Sequence, residues 1–232
     1  MLSKVTALSA GAVLLILLTG CVPVRPISSP SPSATETPSA TPTVSPSAPP
    51  AADDLALSPD GLGTLVFGEP PVSDPATRMV IHDETACTDA RTGNDFGISA
   101  GDPGADLWVP IPLYQVASTG RAPWGVHVDS ALRRIDLYDG HIPTTEGIRI
   151  GDTGSAARSA YPGADVVHAG LTDILAVTGA HGTLQIEIAR QPTGEVYWEP
   201  ADLDKVVFIH ATDTPEVFSV AASENIVGVC NS

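Results

Sequence analysis

The 232-residue chain carries 27 acidic and 11 basic residues, a formal charge of −16, and is 43% hydrophobic but only 5% aromatic. Only Glu36 among the acids, and Lys4 and Arg25 among the bases, precede residue 51, so residues 51–232 hold 26 acids and 9 bases. That field excludes nucleic acid and anionic lipid headgroups as partners, because holding phosphates takes clustered Lys and Arg.

The first element is a targeting peptide over residues 1–20. Met1–Lys4 give a short positive start, and Val5–Leu18 form an apolar run that is too short for a comfortable membrane span and sized as a signal-peptide core. The run ends in Leu18-Thr19-Gly20-Cys21, which resembles the bacterial lipobox. The resemblance implies cleavage before Cys21, a diacylglyceryl group on its thiol, and a protein tethered to the extracytoplasmic face of the cell membrane. Two acyl chains make such an anchor stable. Residues 21–54 are rich in Pro, Ser, Thr and Ala and offer little surface to bury, so they are expected to form a disordered stalk. In polyproline II, about 33 residues reach on the order of 100 Å.

Residues 55–232 are expected to form one α+β domain, mainly antiparallel sheet with short helices. Gly63–Phe67 reads as a short strand, and Asp74-Pro75 as a helix start with Asp74 as N-cap. Leu107–Val116 is apolar, but Pro110 and Pro112 confine it to an edge or an irregular crossing. Trp124–Val128 and the Ile135–Leu137 region alternate as half-buried strands do. Gly147–Asp152 reads as a strand ending in a turn, and Ser155–Tyr161 as a helix stopped by Pro162-Gly163. Strands are expected at Asp165–His168, Ile174–Thr178, Leu184–Ala189 and Val206–His210, with Gln191–Gly194 turning a hairpin into Glu195–Trp198.

The run Thr145–Thr153, followed by a helix ending at Tyr161-Pro162 and a meander, resembles one unit of the SmpA/OmlA and β-lactamase-inhibitor-protein-like superfamily. Gly61–Gly68 reads as a degenerate second copy. The resemblance implies two repeats, 55–140 and 141–232, forming one curved sheet, and it favours a protein as partner.

Once Cys21 is lipidated, Cys87 and Cys230 remain, and an exported domain with an even remainder is expected to pair them. The chain-entropy model gives such a loop roughly 4–5 kcal/mol as an upper figure. The sequence contains no H-E-x-x-H helix or P-loop, and the six histidines are scattered, so no catalytic residue is assigned. The loop 94–106 is the best cation candidate. Asn94, Asp95, Asp102 and Asp106 supply oxygen ligands for Ca²⁺, although Asp, Asn and Gly are also ordinary loop residues. Trp108, Trp124, Tyr197 and Trp198 are candidate interface anchors, with core filling as the other reading.

These features point to a non-catalytic binding or scaffold module, lipid-anchored in the envelope, whose partner is another envelope protein or a wall component. A secreted hydrolase with a spatially assembled site, or a metal- or solute-binding lipoprotein, is the alternative.

Overall fold

Residues that alternate in the sequence alternate in the sheet. The computed structural model describes residues 48–194 and 196–230, and these form mostly antiparallel sheet with a few short helices. The expected signal peptide 1–20, Cys21, the expected stalk up to residue 47, and Glu195 lie outside the described residues. No helix among the described residues is long and apolar enough to cross a membrane.

Three two-residue strands, β1 (Leu57–Ser58), β2 (Gly61–Leu62) and β3 (Leu65–Val66), make a small meander. A ribbon of β4 (Val80–Asp83) and β5 (Leu107–Pro110) encloses the short helix α1 (Asp89–Thr92). The main sheet contains β6 (Trp124–Val128), β7 (Leu132–Leu137), β8 (Asp165–His168), β9 (Thr172–Thr178), β10 (Thr183–Ala189) and β11 (Val206–Thr212), in the order β6-β7-β11-β10-β9-β8. Helix α2 (Gly154–Ala160) precedes β8, and α3 (Val220–Ser223) lies in the carboxyl-terminal segment.

One face of the main sheet is apolar. Leu184, Ile186 and Ile188 of β10 join Ile135 and Leu137 of β7, Ile209 of β11, and Trp124 and Val126 of β6 in a single core. Leu57, Leu62, Leu65, Phe67, Met79, Ile148 and Ala157, all in segments outside the sheet, close it. Burying side chains of this size contributes about 1.5–3 kcal/mol each.

Several expected elements give way to tertiary demands. Asp74 does cap, its Oδ1 accepting from the Ala76 N–H at 2.9 Å, but a single turn follows. Met79 and Val80 are drawn into the core immediately afterwards, leaving no room for a helix. Gly147–Asp152 is not a strand, because its first donors are spent locally: Gly147 N–H on Thr144, Ile148 N–H on the Thr144 hydroxyl, Arg149 N–H on Asp152; the Gly151 N–H reaches the Val206 carbonyl. Thr153 then caps α2, its hydroxyl accepting from Ala156 N–H at 3.1 Å. The hairpin expected after β10 does not form, since β10 is already flanked by β9 and β11; residues 196–198 are loop. Residues 50–54, expected to belong to the stalk, are part of the folded domain: the Tyr114 hydroxyl donates to the Pro50 carbonyl at 3.0 Å, and Ala52–Asp54 make a 3-10 turn.

Candidate functional site

The opposite face of the main sheet is polar, and it is buried. Strand alternation places Arg134 and Asp136 (β7), His210 (β11), and Gln185 and Glu187 (β10) side by side; Asp136 is opposite His210, and His210 opposite Gln185. All five are under 9% exposed, and Gln185 and Glu187 are fully covered. Their cover is a strap, residues 213–230, running from the end of β11 through α3.

The sheet side chains hold this strap largely by its main chain. Gln185 Nε2 donates to the Glu216 carbonyl, and its Oε1 accepts the Phe218 N–H. Glu187 accepts the Val220 N–H at 2.5 Å and the hydroxyls of Ser219 and Thr172 at 2.7 Å each. Arg134 donates to both oxygens of Asp136, at 2.6 and 2.8 Å, and to the Asn225 carbonyl at 2.7 Å. Asp136 in turn accepts the Val227 N–H at 3.0 Å, and the Tyr138 hydroxyl donates to the Val227 carbonyl. Burial pushes the Asp136 carboxyl above its ordinary range against the pull of Arg134, and it pushes the Tyr138 phenol up as well.

Glycine permits the close approach at the far end of the strap. A Cβ on Gly125 would stand 1.8 Å from the Tyr138 hydroxyl, and Gly228, at φ +74°, passes 2.6 Å from the Gly125 Cα measured to its own would-be Cβ.

His210 is the exception in this network. It is 1% exposed and stacks on Phe218 at 4.8 Å between centroids, yet neither ring nitrogen has a hydrogen-bond partner. Glu187 Oε1 comes only to 4.0 Å. Desolvation, with the Arg134 charge beside it, holds its pKa down to about 3. The imidazole is therefore neutral at physiological pH.

Cys87 and Cys230 form the expected disulfide, with Cα atoms 5.3 Å apart, and it fixes the end of the strap beside α1. The cation candidates do not converge. Asn94 and Asp95 are exposed, Asp102 accepts the Ser99 N–H at 2.7 Å, and Asp106 pairs with His82 Nε2 at 2.8 Å, a bond that lowers its carboxyl pKa. Among the described residues no group of three or more His, Cys, Asp and Glu side chains is arranged to hold a metal.

The four aromatic candidates divide. Trp124 is 1% exposed and packs on Tyr114 in the core, so it is no surface anchor. Trp108 is half-buried against His82. Tyr197 and Trp198, in loop rather than strand, form an edge-to-face pair, 4.9 Å apart. Trp198 Nε1 donates to the Leu171 carbonyl in the β8–β9 turn, and Tyr197 is about half exposed. Around Trp198 an open apolar hollow of about 440 Å³ is lined by Pro192, Val196, Pro200 and Leu203.

The same turn leads to β8, an edge strand whose four residues are all exposed, Val166 and Val167 among them. The Ala169 N–H bonds to the Thr172 carbonyl, so ladder alternation turns the N–H and C=O of Val166 and His168 away from β9.

No family model matches the chain, and no curated protein matches it. Among solved structures it is similar to the uncharacterized protein yfeY from Escherichia coli, at 17% identity and a TM-score of 0.37, over 68% of this chain and 99% of that one.

Proposed function

We propose that this chain is a lipid-anchored envelope protein whose domain works as a non-catalytic binding module, taking another envelope protein by strand addition at β8. The observation that carries the reading is the open edge: Val166 and Val167 are exposed, and the outward backbone groups of Val166 and His168 are unpaired by any strand among the described residues. Main-chain pairing supplies affinity in such complexes, and flanking apolar side chains supply choice of partner. The hollow around Trp198 sits at the β8–β9 turn and gives the partner an apolar seat. The lipobox ending in Cys21 supports the envelope address, and the Pro- and Ser-rich run after it supports a stalk that lifts the domain off the membrane. The two-repeat, inhibitor-protein-like architecture belongs to the same proposal. It is supported by the pairing of β7 with β11, which brings β6 and β7 from the first half and β8–β11 from the second into one sheet.

The test replaces Val166 by proline. Its N–H faces away from β9, so the fold is expected to lose less than about 1 kcal/mol. Partner recovery by in-cell photo-crosslinking from position 167 is expected to disappear. Recovery of the same partner by Val166→Pro would rule out strand addition. The address is tested separately: Cys21→Ala is expected to abolish fatty-acid labelling and release the chain from the membrane fraction, and a variant that still labels would refute the anchor.

A further inference from the structure

We propose that the Cys87–Cys230 disulfide is a redox latch, which clamps the strap over the polar face of the main sheet until a dithiol reductant cuts it and lets the strap swing away from β11. The proposal is independent of the β8 edge.

The strap is separable from the rest of the domain. Its only fully buried apolar side chains, Val220 and Ala221, are not part of the hydrophobic core, which lies on the other face of the sheet. What holds it is mainly polar: Gln185, Glu187, Arg134, Asp136 and Tyr138 bind its main chain, and Phe218 adds its contacts with His210 and Arg134. Each such bond contributes modestly, because water replaces the partner when the strap lifts. The core, by contrast, stays intact on lifting. A segment joined to β11 at one end and bridged to Cys87 at the other has no route off the sheet; with the bridge cut, it is held at one end only.

The closed strap also carries a cost that the open one does not. It seals His210 under Phe218 with both ring nitrogens unpartnered, and opening returns those nitrogens to water. The bridge itself is accessible from one side, since Cys230 is exposed whereas Cys87 is buried. A thiolate of the reductant, a dithiol of the thioredoxin kind, attacks Cys230 Sγ. The Sγ–Sγ bond breaks, and Cys87 leaves as a thiolate that takes a proton. The second thiol of the reductant then displaces Cys230 as its thiol, and the reductant departs as its own disulfide.

His210 reports the state of the latch. The other five histidines have exposed side chains, from 39% for His82 to 67% for His168, against 1% for His210. The full chain, purified in detergent, is treated with diethyl pyrocarbonate either oxidised or after reduction and thiol alkylation, and each histidine is quantified by peptide mass spectrometry. Hydrogen exchange is followed in parallel. Reduction is expected to raise His210 modification and exchange at Val220 and Val227 by on the order of tenfold or more, with β10 amides such as Ile186 still protected. Continued shielding of His210 and Val227 after reduction would show the bridge to be a fixed staple and overturn the latch. Loss of Ile186 protection along with them would overturn it too, by showing that the strap does not open separately from the domain.

Discussion

Replacing Arg134 by methionine is expected to destabilise the domain by about 3–5 kcal/mol, the cost of leaving one member of a buried ion pair without the other. The side chains of Arg134 and Asp136 are 8% and 5% exposed, so solvent screening offers little relief. Methionine matches the length of the arginine stem but removes both bonds to Asp136 and the bond to the Asn225 carbonyl. It also removes a guanidinium lying 4.7 Å from the Phe218 ring centroid, which desolvated cation–π contacts value at about 2 kcal/mol. Asp136 is left a buried carboxylate whose one remaining donor is the Val227 N–H. The double variant Arg134→Met, Asp136→Leu is expected to regain at least about 1–2 kcal/mol, because it no longer buries a lone charge. Urea unfolding followed by circular dichroism measures both. If the double variant were less stable than Arg134→Met alone, the pair would not be the source of the cost.

That pair was not legible as a pair in the sequence, and the reason is physical. Arg134 and Asp136 alternate with Ile135 and Leu137, as Gln185 and Glu187 alternate with Leu184, Ile186 and Ile188. Alternation of this kind ordinarily means one face in the core and one in water, and it located β6, β7, β10 and β11 correctly. What the pattern does not carry is the strap. Residues 213–230 have neither helical nor strand periodicity, because they are held by side chains of the sheet rather than by their own apolar stripe. The one clue was Cys230, whose pairing with Cys87 required the chain's end to return to the first half. The same limit explains the aromatics. Trp124 alternates with Gly125 as a strand residue should, but only the placement of Tyr114 and the other core residues around it decides that it faces inward. At Asp74 the local N-cap signal was sound, and the pull of Met79 and Val80 into the core overrode the helix it announced.

Acidification from pH 7 to pH 5 is expected to lower the stability of the domain by about 2 kcal/mol through His210 alone. In the folded chain burial holds this imidazole down to about 3, below its ordinary 6.5. Above pH 6.5 it is neutral both folded and unfolded and contributes no pH dependence. Below 6.5 the unfolded chain takes a proton that the folded chain refuses, so stability falls at up to about 1.4 kcal/mol per pH unit until the folded-state value is reached. The groups facing the ring are Arg134 and Asp136 from β7, Gln185 and Glu187 from β10 and the Phe218 ring from the strap. Arg134 reinforces the effect. Asp136 opposes it: with its folded pKa raised, its protonation adds stability as the pH falls. His210→Leu separates these contributions. It keeps an apolar side chain under Phe218 and removes two unpartnered nitrogens, for an expected gain of about 1 kcal/mol at pH 7. Its unfolding free energy is then expected to be flatter than that of the parent between pH 6.5 and 5, so that the advantage of the variant widens to about 3 kcal/mol at pH 5. Parallel profiles for the two proteins would mean that His210 finds a proton acceptor or donor in the folded chain, and that the strap closes over the ring without the cost that favours opening.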